Sequence, residues 1–286
     1  MIITNKYNLP DYIYEKMARN FKPEVGKVGV TDLIDSPYIR WLKRTRWDDI
    51  TIDASDKLAT LGGTAFHLLM ESWAPRNSLP EERLHMECKG LLIKGRPDLF
   101  WDDRLHDYKY TSTWKYLLGE KMQFERQLNV YAHMYRIIGF VAKGLEVVWY
   151  FKDWQSKKRL RDKDYPVIQL LSSQPVLWAP DNALEYIERR VNIHLIDPPE
   201  PCSEEDRWTS HDKWAVKKKG NKMALRGRKS VFENEDDAQH LCSLIDGTEV
   251  EFRPGEDKRC KYYCDCRYIC PVNRHHDEIG QEGDEE

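Results

Sequence analysis

The sequence predicts an α/β protein: a central mixed sheet flanked by helices, followed by a C-terminal cysteine-rich module. Three observations carry that expectation. Helical and strand periodicities alternate through about residue 195. A proline-rich break, Asp197-Pro198-Pro199-Glu200-Pro201, then interrupts the chain. Beyond it, four of the seven cysteines crowd into residues 260–270.

Composition fits this division. At 41% hydrophobic and 33% charged over 286 residues, the chain holds enough apolar material for one main core and an appended module, which excludes wholesale disorder. No stretch approaches the ~20 apolar residues needed to cross a bilayer, and Met1-Ile2-Ile3-Thr4-Asn5-Lys6 lacks the apolar run of a signal peptide. The expected location is therefore intracellular, with no membrane partner.

The elements follow in order. Residues 1–54 form an N-terminal segment in which 30–37 read as a turn leading into a basic helix through 38–44. Arg40, Lys43 and Arg44 on it, and Arg46 just beyond it, are expected to face phosphates or solvent. Residues 55–197 form the core. Positions 55–73 are helical, with Phe66, Leu69, Met70 and Trp73 as one apolar stripe and His67 beside it. Three strand-like runs follow at 83–88, 91–101 and 105–110, the last two joined by the turn Asp102-Asp103-Arg104. A long helix over 114–138, strands at 147–151 and 166–171, and a helix over 183–195 complete the core.

Residues 198–274 form a basic and cysteine-rich module. Between 208 and 229, Trp208 and Trp214 are interleaved with Lys217, Lys218, Lys219, Lys222, Arg226, Arg228 and Lys229. Residues 275–286 read as a disordered acidic tail, which helps the net charge of −3 conceal basic character elsewhere.

The two central strands carry the candidate chemistry. Alternation puts Lys94, Arg96 and Asp98 on one face and Leu91, Ile93, Leu99 and Trp101 on the other. In the next strand Asp107 and Lys109 share a face and Tyr108 points away. Pairing through the intervening turn makes Asp98 and Asp107 near cross-strand neighbours, able to grip one divalent cation such as Mg²⁺. The cation would acidify a water and polarise a phosphate, while Lys109 orients that water or stabilises developing charge: phosphodiester hydrolysis. Two other triplets, Glu87-Cys88-Lys89 and Glu256-Asp257-Lys258, lack this placement. Read from these residues alone, the cluster fits a structural ion-pair group equally well.

Four segments in order sharpen the reading: Gly63-Thr64-Ala65-Phe66-His67, Gly95-Arg96-Pro97-Asp98, Asp107-Tyr108-Lys109 and Gln127-Leu128-Asn129-Val130-Tyr131. Over roughly residues 30–155 this arrangement resembles the RecB-like branch of PD-(D/E)xK nucleases. The resemblance implies a restriction-endonuclease-like core and, more than composition does, exonuclease activity. It makes His67 a metal ligand with Glu71 behind it, Asp98 and Asp107 the carboxylate ligands of Mg²⁺ or Mn²⁺, and the Tyr108 carbonyl a further oxygen. Gln127 and Tyr131 would orient Lys109 or contact the DNA backbone, and Glu87 is a candidate outer-shell acid.

Cys260, Cys264, Cys266 and Cys270-Pro271 suit one centre, tetrahedral Zn²⁺ or an iron–sulfur cluster. The end of the chain resembles RecB-like nucleases with a [4Fe–4S] cluster, in which three C-terminal cysteines staple the C-terminus to the core. Cys260, Cys264 and Cys270 fit that trio. The family's N-terminal Cys-Pro is replaced by Ser36-Pro37, leaving Cys266 or Cys202 as the fourth ligand. Cys88 and Cys242 read as small buried residues.

The expected function is a divalent-metal-dependent DNA nuclease, acting on single- or double-stranded ends in recombination, repair or phage DNA processing. Its setting would be the cytoplasm of a bacterial or phage-infected cell, with a helicase or single-strand annealing protein as a partner. The alternative from another class is a non-catalytic DNA-binding or assembly subunit that retains the fold.

Overall fold

The computed structural model describes residues 1–117, 122–227 and 229–275, which form two compact units, Met1–Glu200 and Pro201–Glu286. The first unit begins with β1 (Ile2–Thr4), α1 (Asp11–Met17), β2 (Lys27–Gly29), α2 (Val30–Ile34), α3 (Pro37–Thr45) and β3 (Thr51–Asp53). It continues through α4 (Ala59–Ser72), β4 (Leu79–Pro80), β5 (Leu84–Cys88), β6 (Leu91–Gly95), β7 (Leu99–Trp101) and β8 (Arg104–Thr111). Then come α5 (Thr113–Leu117), α6 (Met122–Ile137), β9 (Gly144–Phe151), α7 (Ser156–Arg159), β10 (Leu170–Ser173) and α8 (Pro180–Leu195). Proline at the first turn of α3 and α8 starts each helix where its missing N–H costs nothing.

The main sheet has the order β10-β9-β8-β7-β4 and is mixed, because β8 and β9 run parallel while the other pairs are antiparallel. A three-stranded sheet, β2-β6-β5, is mixed as well, and β1 pairs with β3. Every second residue of β9 is buried, as a strand that turns one face to a core requires. On that face Phe124, Leu128, Tyr131 and Tyr135 of α6 meet Leu105, Val147, Trp149 and Phe151, with Ile187 and Val191 of α8 behind them. On the other face Phe66 of α4 meets Tyr108, Tyr110 and Tyr150. Helices thus cover both faces of β8, the strand that carries Asp107 and Lys109.

Several expectations are corrected. The run 91–101 is two strands in two different sheets, since Pro97 has no N–H to give a ladder and Arg96-Pro97-Asp98 form the crossing between them. Lys94 and Arg96 therefore do not share a strand face with Asp98; they pair with Glu24 and Glu81. Of the helix expected over 114–138, Thr113–Leu117 and Met122–Ile137 are helical, and 118–121 lie outside the described residues. Of the apolar stripe on α4 only Phe66 is buried, while Leu69 and Trp73 are exposed. Arg40 faces no phosphate: it is buried, and its guanidinium donates to the carbonyls of Glu24 and Lys27 at 3.0 and 2.5 Å. Arg44 and Arg46 are held by Asp197 and Asp49.

The second unit consists of α9 (Glu204–Arg207), β11 (Lys213–Lys218), β12 (Val231–Phe232), α10 (Glu235–Ser243), β13 (Thr248–Arg253) and a π-helical turn over Arg259–Tyr263. Its antiparallel sheet has the order β12-β11-β13. Of the expected acidic tail only His275 is described, and it is buried with Nε2 accepting from the Asp257 N–H at 3.1 Å. No helix among the described residues is long and apolar enough to cross a membrane.

Candidate functional site

The antiparallel register of β7 and β8, Leu99 against His106, extends to place Asp98 opposite Asp107. Asp98 turns its carboxylate in two directions. Oδ2 accepts the Tyr108 backbone N–H at 2.6 Å, and Oδ1 lies 3.3 Å from His67 Nδ1 on α4. That hydrogen bond raises the His67 imidazole above its ordinary pKa, against the opposing effect of burial. A T-shaped contact with the Tyr108 ring fixes the orientation of His67.

Glu81 is the residue that sequence reasoning missed. It follows β4, the edge strand that continues the register Leu79 against Phe100, and its N–H donates to the Asp98 carbonyl at 3.1 Å. Its carboxylate lies 4.0 Å from His67 Nδ1 and 2.5 Å from Arg96 Nε. Burial raises its pKa, with Arg96 opposing and Asp98 adding to the rise. No local spacing points to Glu81, because it reaches the site only through the pairing of β4 with β7. Glu87 itself sits on the exposed side of β5.

Donor atoms of His67, Glu81 and Asp98 all lie within 4.8 Å of one another, a set of one imidazole and two carboxylates that suits a divalent cation. Asp107 stands beside this group rather than within it. It is 3% exposed, and its Oδ2 lies 2.6 Å from Lys109 Nζ. Burial raises the Asp107 pKa, Lys109 opposes the rise, and Asp98 adds to it. Beyond the ammonium lies the Phe124 ring, 4.9 Å from Nζ to centroid.

Gln127 and Tyr131 meet each other, Nε2 to Oη at 3.5 Å, one turn apart on α6. The Tyr131 ring lies flush against Gly95, where a Cβ would come within 2.6 Å of Cε1. Burial pushes the Tyr131 phenol up to about 12, so it acts as a neutral hydrogen-bonding group that the Arg96 backbone also contacts. Tyr131 thus sets the crossing segment from Gly95 to Asp98, while Phe124 is the α6 residue found over Lys109. Tyr108 contributes an N–H to Asp98, and its ring packs against α4. Glu71 is exposed but lies close enough to Glu81 to raise its pKa.

In the second unit, Cys202, Cys264, Cys266 and Cys270 are buried and Cys260 is partly so. The segment bearing Cys202 is tied to the cysteine-rich end by several bonds. Thr209 Oγ1 donates to Asp257 Oδ1 at 2.5 Å, Arg207 lies 3.5 Å from the same carboxylate, and Arg259 donates to the Asp206 carbonyl at 3.2 Å. Burial, then neighbouring Cys264, Asp257, Cys202 and Cys270, push the Cys260 thiol up to about 12. Hydrogen bonds from Cys266 bring Cys264 down to about 7. Ser36, at the start of α3 in the first unit, is buried.

No family model matches the chain, and no curated protein does. Nine solved chains are similar to it. One, described as SSO0001, is 16% identical, with 92% of this chain and 93% of that one covered and a TM-score of 0.48. Another is an alkaline exonuclease (LHK-Exo) from Laribacter hongkongensis, 14% identical, covering 65% of this chain and 91% of that one at a TM-score of 0.36. With likeness this distant, the functional reading rests on the residues of the site itself.

Proposed function

We propose that the protein is a divalent-metal-dependent DNA nuclease of the PD-(D/E)xK type, built on a restriction-endonuclease-like core, that hydrolyses phosphodiester bonds at DNA ends. One observation carries this reading: three acids, Glu81, Asp98 and Asp107, converge on His67 and Lys109, with Asp107 almost fully buried. Burial pushes the pKa of both Glu81 and Asp107 up, because a carboxylate withdrawn from water is costly to ionise. A cation of charge two beside them would offset that cost.

His67, Glu81 and Asp98 are the residues that would hold Mg²⁺ or Mn²⁺, with Asp107 alongside. Such a cation supplies Lewis acidity, polarising a phosphoryl oxygen and lowering the pKa of water. The chain's own groups do the rest. The Lys109 ammonium neutralises charge developing on the phosphate, and Asp107 keeps it aimed along β8. The Tyr108 N–H holds Asp98 Oδ2, which fixes the carboxylate and leaves Oδ1 turned toward His67. Gln127 and Tyr131 hold the Gly95–Asp98 crossing in place. The cysteine centre is structural, since hydrolysis moves no electrons. Cys260 would hold it together with Cys264, Cys270 and Cys202, which lie near enough to act on the Cys260 thiol, as a [4Fe–4S] cluster or Zn²⁺.

The test is a time course on end-labelled single- and double-stranded DNA with Mg²⁺ or Mn²⁺, and with EDTA as the control. The reading expects progressive shortening from an end that stops when the metal is chelated. DNA binding without any cleavage under either metal would instead identify a non-catalytic DNA-binding or assembly subunit.

A further inference from the structure

Residues 213–232 contain eight Lys and Arg and no Asp or Glu, in a chain whose net charge is −3, so everything outside this span is on balance acidic. The concentration of charge belongs to an ordered hairpin. β11 ends at Lys218, Gly220 turns the chain at φ +79°, and the return strand lies back on β11 through a bridge between Lys217 and Ala224 and a bond from Leu225 N–H to the Val216 carbonyl at 3.0 Å. A second turn at Gly227, φ +81°, leads to β12, where Ser230 Oγ donates to the Leu225 carbonyl at 2.7 Å.

Lys217 is drawn back to Glu251 and Glu249, at 2.6 and 3.5 Å. Lys218, Lys219, Lys222 and Arg226 are exposed, and among the described residues none is paired with an acid. Lys218, Asn221, Lys222 and Arg226 line an open hollow of about 490 Å³, together with Met223 and Leu225. Like charges brought together on a fixed backbone repel one another, a cost that a bound polyanion removes. A row of cations around a hollow that also offers an amide and an exposed methionine suits an extended chain of phosphates with apolar sugar surface between them.

We propose that the hairpin at 217–227 is a binding site for the DNA sugar–phosphate backbone, with Lys218, Lys222 and Arg226 each contacting a phosphate, and that it binds without metal. The identity of the polyanion rests on the nuclease reading; the site itself does not.

The test is fluorescence anisotropy of labelled single-stranded and duplex DNA with the full-length protein in EDTA, titrated from about 50 to 200 mM salt, where each phosphate contact adds about 0.7–0.9 to the log–log slope. The Lys218→Ala/Lys222→Ala/Arg226→Ala protein should flatten the slope by about 2–3 and bind about 10-fold more weakly or worse at the lowest salt. Lys218→Arg/Lys222→Arg should preserve both. If the triple variant fails to fold by thermal melting, Lys222→Ala and Arg226→Ala singly should each lower the slope by about 1. An unchanged slope and affinity in the variants overturns the proposal, as does wild-type protein that binds polyglutamate but not DNA. Because EDTA removes the cleavage chemistry, hairpin-dependent binding by a protein that never cleaves would sink the nuclease reading alone.

Discussion

Gly95 and Tyr131 are far apart in sequence, yet neither position can change without the other. The Tyr131 ring occupies the space where a side chain at 95 would begin. Gly95→Ala should therefore cost about 1–3 kcal/mol in urea denaturation and weaken cleavage, because the displaced segment carries Asp98. Gly62 and Gly63 give a matched contrast on α4. A Cβ at 62 would come within 2.6 Å of the Tyr110 ring, whereas one at 63 meets nothing within 4 Å. Gly63→Ala should stabilise by up to about 1 kcal/mol, as alanine does in a helix, and Gly62→Ala should destabilise. The opposite order of the two would refute the packing described. Of the site residues, Asp98, Asp107 and Lys109 follow from strand alternation and the turn between their strands, whereas His67, Gln127 and Tyr131 were singled out only by the family resemblance. Glu81 was not legible, because only the pairing of β4 with β7 carries it to His67, and that pairing is set at long range.

At the scale of elements, α8 is fastened to α2 through one carbonyl. Arg190 Nε donates to the Leu33 oxygen at 2.7 Å, and His194 Nε2 lies 3.1 Å from the same atom. Burial, then the Arg190 charge, push the His194 pKa down to about 4, while its bond to Leu33 opposes the fall. The sign follows directly. Between about 6.5 and about 4 the unfolded chain takes up a proton that the folded one refuses, so stability falls as pH drops through that window. Its contribution should be about 2 kcal/mol between pH 7 and pH 5 in urea melts. His194→Gln, which keeps a donor for Leu33 but does not titrate, should shrink the difference; an equally steep dependence in the variant would contradict this. The type of most elements was legible from periodicity. Periodicity fails at Pro97, where an uninterrupted alternating pattern conceals a change of sheet, and at α4, where Leu69 and Trp73 complete an apolar stripe that the fold leaves exposed.

At the scale of the whole molecule, net charge hides local concentrations: residues 213–232 carry eight Lys and Arg and no acid in a chain whose net charge is −3. A cation that binds the folded protein alone raises its stability by about 2.7 kcal/mol at 100 times its Kd. Mg²⁺ or Mn²⁺ should accordingly raise the melting temperature of wild-type protein, with a smaller rise for His67→Ala and Glu81→Ala. An equal rise in all three would place the metal elsewhere. Composition could not reveal the basic hairpin, because the net charge of −3 sums over the whole chain.

The central claim is that Asp107 and Lys109 perform metal-dependent phosphodiester cleavage. It is tested most directly by single-turnover rates on end-labelled DNA in Mn²⁺, with protein in excess, for wild type, Asp107→Asn and Lys109→Met. Wild type should cleave, each variant should lose about 10²-fold or more, as for removal of one group stabilising transition-state charge, and DNA affinity in EDTA should be unchanged. Rates in either variant within a factor of a few of wild type would contradict it.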